Sequence, residues 1–160
     1  PEKERMELII QKATELGVST IVPFKSEKSI SLEERETKQK KAHRWQEIAI
    51  KAVQQSRRAR VPSVEGYRPF EKALEVCKDD GLKILLWEKE GESLKKILKQ
   101  HFPRRIYVMV GPEGGFTGEE VTLAKNHGFI PVKLGQRILR TETAAITLIG
   151  ILQYELGDLG

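Results

Sequence analysis

The sequence predicts an α/β domain built on a mainly parallel sheet. From Lys83 onward, short apolar runs alternate with segments of helical periodicity, and glycines or acidic turns punctuate them; this is the pattern of strand–helix–strand units. Two strand-to-helix connections, GPEGGFTGEE at Gly111–Glu120 and LGQRILRTETA at Leu134–Ala144, concentrate glycine, charge and hydroxyl groups where an ordinary connector would stand. The 160 residues, 39% hydrophobic and 32% charged, suffice for one domain with a substantial core. No internal repeat, low-complexity tract or linker divides them.

The elements follow in order. Met6, Ile9, Ile10, Ala13 and Leu16 keep the spacing of an amphipathic helix, and Gly17 stands where a terminating glycine belongs. Thr20–Phe24 reads as a short strand, β-branched at its start and broken near its end by Pro23. Ala42, Trp45, Ile48, Ala49, Ala52 and Val53 form the stripe of a helix from about Glu34 to Ser56. Pro62, Gly66 and Pro69 mark an irregular connector, and a short helix over Phe70–Cys77 closes at Asp79-Asp80-Gly81.

Lys83–Trp87 is then a strand, Glu92–Gln100 a helix with Leu94, Ile97 and Leu98 on its apolar side, and Arg105–Val110 a buried strand. Thr117–Asn126 is a helix ended by Gly128, Phe129–Leu134 a strand, and Thr141–Leu156 the last helix. Ala145, Leu148, Ile149 and Leu152 give that helix its core face, and Ala144 and Ile151 widen it. So broad an apolar surface demands deep burial or a second subunit.

Composition narrows the function classes. No apolar run approaches the roughly 18 residues of a membrane span, and PEKERMELII lacks the apolar region of a signal peptide. The missing initiator Met is what a fragment would show. Cys77 is the single cysteine, expected as a buried thiol in a reducing, cytoplasmic setting. His43, His101 and His127 are scattered without ligand spacing, so no metal is expected. The net charge is +5, unevenly spread: Lys38, Lys40, Lys41, Arg44, Lys51, Arg57, Arg58 and Arg60 face only Glu47. Such a stretch attracts nucleic acid, or forms a solvated helix face.

Both marked loops fall at carboxyl ends of predicted strands, where open α/β sheets bind ligands. In the first, Gly111 leaves the strand, Pro112 fixes the turn, Gly114 and Gly115 permit close backbone approach, and Thr117-x-x-Glu120 is a capping box. It can equally be a well-capped tight turn. The Walker and GxGxxG patterns do not fit, so this is no ordinary ATP or NAD loop. In the second loop, Arg137 and Arg140 bracket Ile138 and Leu139, Thr141 can cap the last helix, and Glu142 suits its first turn. Two arginines among apolar residues need anions or carbonyls; ion pairs with Glu113 or Glu142 are one solution.

GPEGGFTGEE together with LGQRILRTETA closely resembles the signature of the RsmE family, 16S rRNA (uracil-N3) methyltransferases of the SPOUT superfamily. RMELIIQKATELGVSTIVPF, SEKSI and RWQEIAIKAVQQSRRARVP resemble the family's opening segment, its Ser-Glu-Arg-Ser stretch, and its long helix with basic turn. The resemblance covers nearly the whole chain. Two departures stand out: Lys28 replaces the usual arginine, which weakens a bidentate phosphate contact, and QQSRRAR replaces Glu-Gln-Ser/Cys-Gly-Arg.

The resemblance implies a SPOUT-type mainly parallel sheet flanked by helices, with a C-terminal deep trefoil knot from about Arg105. Residue rules alone would give an unknotted sheet. The family's N-terminal PUA-like RNA-binding domain is expected to be absent, leaving residues 1–160 as the methyltransferase domain. The implied cofactor is S-adenosylmethionine, held by Leu86, Gly111, Pro112, Glu113, Gly114, Gly115, Leu134, Gly135, Ile138, Leu139 and Arg140, largely through backbone. Arg140 or Arg137 is expected to stabilise charge on the base, and Glu142 or Glu113 to take the N3 proton. Lys28, Arg57, Arg58, Arg60 and Arg137 are the expected RNA contacts. The implied partners are 16S rRNA or the small ribosomal subunit and a second copy of the chain, with no membrane and no metal. A SPOUT ribose 2′-O-methyltransferase acting on another RNA is the nearest alternative. A non-catalytic RNA-binding module would carry a damaged loop, and both loops are intact.

Overall fold

The computed structural model describes residues 3–28 and 35–160, except for the side chains of 35–39. Glu34, Ser29, Ile30 and the Lys38 side chain therefore lie outside the described residues. The chain runs α1 (Lys3–Glu15), β1 (Thr20–Ile21), β2 (Phe24–Lys25), α2 (Arg35–Ser56), β3 (Ser63–Val64), β4 (Arg68–Pro69), α3 (Phe70–Val76) and β5 (Leu82–Leu86). It continues through α4 (Leu94–Gln100), β6 (Ile106–Val110), α5 (Gly118–Asn126), β7 (Ile130–Val132) and α6 (Thr141–Leu156). Every strand pairing described is parallel, and the strands are flanked by helices, which is the α/β architecture the alternation predicts.

The central sheet has the order β6-β5-β7. Because strand side chains alternate in direction, β5 feeds two cores. Leu85 packs with Phe70, Leu74, Met109, Phe116, Val121 and Phe129 on one face. Ile84 and Leu86 pack with Leu94, Ile97, Val132, Leu148 and Leu152 on the other. Helices α3 and α5 thus cover one face, and α4 and α6 the other. A third core joins Ile10, Trp45, Ala49 and Val64, where α1, α2 and β3 meet.

Two expectations need correction. The Thr20–Phe24 strand is split at Val22-Pro23: β1 pairs with β3 and β2 with β4. The stretch read as an irregular connector therefore contains two strands. Each is two residues long, too short for alternation to register, and its partner lies some forty positions away in the chain. Pro23 and Pro69 belong here because edge pairing tolerates a missing N–H; the Pro23 carbonyl still accepts Arg68 N–H at 3.2 Å. The second correction concerns β6. It is an edge strand of the described sheet, and only Met109 is buried in it.

The remaining joints are chemically specific. Gly17 ends α1 with φ +94°, and a β-carbon there would come 2.5 Å from Gln153 Nε2. That same amide donates to the Leu16 carbonyl at 2.7 Å and so pins α6 to the end of α1. Glycine is required both by its dihedral and by the approach of its neighbour. Arg58 donates from Nη1 to the Thr14 and Val18 carbonyls at 2.7 and 3.0 Å, which ties the end of α2 to the same helix end.

Candidate active site

Leu86 is in register with Val110 on one side and Val132 on the other, so the three central strands end flush. The loops that follow them all leave from one carboxyl edge. The first folds back on β7: Trp87 N–H donates to Val132 O at 3.0 Å, and Glu92 N–H to Pro131 O at 2.9 Å. The two motif loops leave from the strands on either side of β5.

The first motif loop is built on aromatic packing. Phe116 is fully buried, stacked on Phe24 at 6.2 Å between centroids and tilted against Phe70 at 5.9 Å. Its ring lies directly under Gly111, where a β-carbon would sit 3.1 Å from it. Gly115 N–H donates to the Pro112 carbonyl at 2.8 Å, closing the turn, with Gly115 at φ +72°. Glu120 completes the capping box expected from sequence: Oε1 accepts Thr117 N–H at 3.0 Å, and Thr117 Oγ1 accepts Glu120 N–H at 3.1 Å. Its other oxygen accepts Glu27 N–H at 3.2 Å, which ties the Lys25–Lys28 segment to this loop. Lys28, exposed, lies with its stem beside Gly114. A cleft of about 470 Å³ opens next to this junction, between Ser26, Tyr67, Arg68, Phe70 and Glu119, rather than between the two motif loops.

The second motif loop stands open. Gly135 has φ +68° and nothing within 4 Å of a β-carbon placed on it. Gln136, Arg137 and Arg140 are exposed, and Ile138 is 88% exposed, while Leu134 and Leu139 are half-buried. Arg140, not Thr141, occupies the N-cap of α6; Thr141 is the first helical residue and is buried. No side chain caps the helix, and the Arg140 carbonyl accepts Ala144 N–H at 2.8 Å.

What joins the loops is a residue that sequence reasoning missed. Arg5, on the first turn of α1, places Nη1 3.0 Å from Glu113 Oε1 and Nε 4.0 Å from Glu142 Oε1. One guanidinium thus spans the carboxylates of both motifs, a use that suits its rigid fork. Arg137 and Arg140 make no ion pair among the described residues, so the acids they were expected to meet are taken by Arg5. Glu142 Oε2 is enclosed without a hydrogen-bond partner. A second missed residue is Glu88: its carboxylate lies against Gly115, 2.6 Å from where a β-carbon would be. Neither had a usable signal. Arg5 sits 108 residues before Glu113 in an ordinary charged helix start, and Glu88 in a charged turn.

The basic stretch divides by role. Arg58 is spent on carbonyls. Arg44 pairs with Glu7 at 2.6 Å, and His43 lies 3.3 Å from Glu47. Lys40, Lys51, Arg57 and Arg60 are exposed, and Arg57 has the left-handed φ of +58° that turns the chain out of α2. Among the described residues no cluster could hold a metal ion, and no helix is long and apolar enough to cross a membrane.

A parallel sheet with two glycine-bearing loops at one carboxyl edge, tied by one arginine, is the kind of edge at which α/β domains bind ligands. The RNA methyltransferase domain family model matches residues 1–153, and the chain belongs to that family. Among curated relatives, the chain is 35% identical over 162 residues to the ribosomal RNA small subunit methyltransferase E of Bacillus subtilis, and 38% identical over 148 residues to that of Aquifex aeolicus. These alignments cover 97% and 92% of the chain but 63% and 62% of the relatives. A crystal structure of the ribosomal RNA small subunit methyltransferase E from Neisseria gonorrhoeae, bound to S-adenosyl methionine, superposes with a TM-score of 0.91 at 38% identity. It is matched over 99% of this chain and 64% of its own. A Legionella pneumophila methyltransferase with bound SAM gives 0.84 at 35% identity, over 95% of this chain and 62% of its own. The chain therefore spans less than two thirds of the length of these relatives.

Proposed function

We propose that this domain methylates N3 of a specific uridine in 16S rRNA of the small ribosomal subunit, with S-adenosylmethionine as methyl donor. The observation that carries the reading is the flush ending of β5, β6 and β7, which sets Leu86, Gly111–Gly115 and Leu134–Arg140 around one edge. Both family motifs meet there undamaged. The residues suit the cofactor: Gly135 has open space above a left-handed backbone, Ile138 presents bare apolar surface, and Leu86 forms a buried floor. Main-chain groups of Gly111, Pro112, Gly114, Gly115, Leu134 and Leu139, with the flanking Glu113 and Arg140, would hold it.

S-adenosylmethionine, when bound, supplies an electrophilic methyl on a sulfonium centre. The chain must orient the uracil and handle its N3 proton. N3 lies on the Watson–Crick edge, so the target base must be unpaired or flipped out. Arg140 and Arg137, exposed and without ion-pair partners among the described residues, are placed to stabilise charge developing on O2 and O4. Of the two acids, Glu113 is the one a substrate reaches, with 32% of its side chain exposed. Glu142, 13% exposed, holds Arg5 and orients the loop. Lys28, Arg57 and Arg60 grip phosphate, while Arg58 serves the fold.

The same reading includes the deep trefoil knot. Its support is membership of the RNA methyltransferase domain family, together with the two motif loops that resemble the family signature. It also includes a homodimer, supported by the exposed Ile138 and Tyr154 on and beside α6. A cytoplasmic setting follows from a ribosomal substrate. Residues 1–160 are the methyltransferase domain in this reading. Arg140→Ala tests the chemistry: turnover is lost while the thermal melt shows a folded protein. Near-normal turnover in that variant would sink the assignment.

A further inference from the structure

The amino edge of the central sheet carries a charge pattern of its own. Three loops enter there: Lys78–Gly81 before β5, His101–Arg105 before β6, and His127–Phe129 before β7. They present Lys78, Arg104, Arg105 and His127 at the surface, and Lys99 and Lys125 from the last turns of α4 and α5 add to them. Between Ser93 and Arg105 there is no acidic residue. The acids within these loops are Asp79 and Asp80, and Asp79 is engaged by Arg105 at 2.6 Å, Tyr107 Oη at 2.7 Å and Gly81 N–H at 3.0 Å.

Between Lys99 and Arg104 in the chain stands Phe102, 93% exposed, on the loop that enters the outer strand β6. A stable protein interface buries more than about 1,000 Å² of surface, far more than one side chain offers. An exposed aromatic flanked in the chain by the exposed Lys99 and Arg104 fits instead the combination that binds single-stranded nucleic acid, a stacking platform within a positive field. A duplex offers no free base face to it.

We infer that the Lys99–Phe102–Arg104 edge is a second RNA-contacting surface, which stacks an unpaired base on Phe102 and pairs flanking phosphates with Lys99 and Arg104. It rests on the reading that the substrate is RNA. Strand β6 separates it from the motif loops by roughly 15 Å, so it engages a different stretch of the RNA from the target base. Neither family motif reaches this edge.

The test uses the whole chain and a labelled, unstructured oligoribonucleotide of about 12 nucleotides. Anisotropy is read across about 50 to 200 mM salt. Phe102→Ala weakens binding about tenfold and leaves the salt slope unchanged, since stacking releases no counterion. Phe102→Trp restores it. Lys99→Gln/Arg104→Gln lowers the slope of log affinity on log salt by about 1.4, at roughly 0.7 per phosphate contact on a single strand. Calorimetric binding of S-adenosylmethionine is unchanged in all of these variants. Variants that bind the oligonucleotide like the parent overturn the surface and leave the methyltransferase reading standing. A change of sedimentation state in Phe102→Ala without loss of RNA affinity also overturns it, making Phe102 a protein contact. Failure of the parent chain to bind S-adenosylmethionine counts against the methyltransferase reading instead.

Discussion

Replacing Arg5 with alanine removes the single guanidinium that spans both motifs. The Arg5–Glu113 pair is about a third exposed on each side, so its loss costs on the order of 0.5 kcal/mol after solvent screening. Glu142 is the larger contribution. Its side chain is 13% exposed, its Oε2 is already enclosed without a partner, and Arg5 is the cation recorded beside it. Stranding that carboxylate costs about 1–3 kcal/mol. A combined loss near 2 kcal/mol lowers the melting temperature by roughly 4–8 °C for a domain of this size. Turnover falls further than stability, because a motif loop displaced by about 1 Å costs on the order of 100-fold in rate. The assay is a thermal-melt cycle of Arg5→Ala, Glu142→Gln and the double variant, read beside cofactor affinity. The cycle isolates the pair from the other interactions of Arg5. Glutamine at 142 carries no charge to strand, so the double variant recovers part of the loss. Independent effects within about 0.3 kcal/mol would refute the claim that Arg5 couples the two loops.

Two further predictions separate residues that the sequence grouped together or left without a role. Arg58→Ala loses two charge-assisted bonds to carbonyls and destabilises by about 2–3 kcal/mol. RNA affinity at a temperature where the variant is folded changes little, whereas Arg57→Ala and Arg60→Ala reduce affinity and its salt slope without altering the melt; the reverse assignment would show in the same titration. Cys77 is pushed up to about 11 by burial, with Lys83 pulling it down and Asp79 raising it. Its thiolate fraction at pH 8 is then roughly 100-fold below that of an ordinary thiol, and alkylation slows in proportion. The stabilisation from the neutral thiol is fully present below about pH 9 and is lost as the pH rises towards 11. Alkylation at the rate of a free thiol would contradict the burial.

Long elements were legible because their signals are local. The stripe of α2, the capping box of Thr117 and Glu120, and the glycine stop at Gly17 need only neighbours in sequence. The split of β1 and β2 was not legible, because two-residue strands owe their existence to partners at Ser63–Val64 and Arg68–Pro69. The site shows the same division. The motif loops announced themselves through glycine spacing and paired arginines, but Arg5 and Glu88 belong to the site only by tertiary approach. Arg58 looked like a nucleic-acid ligand because composition records charge and not what the charge faces. The cap of α6 was misplaced by one residue, since Thr141 had the chemistry of a cap but a buried, helical position.

The central claim is transfer of a methyl group to N3 of a uridine in 16S rRNA at the edge where β5, β6 and β7 end. Mass mapping of 16S rRNA, free and in assembled small subunits, after incubation with the protein and S-adenosylmethionine tests it most directly. The account predicts one uridine heavier by a single methyl on its base, with the signal absent for Arg140→Ala. Methylation on a ribose, or a cofactor-binding protein that modifies neither substrate, would contradict it.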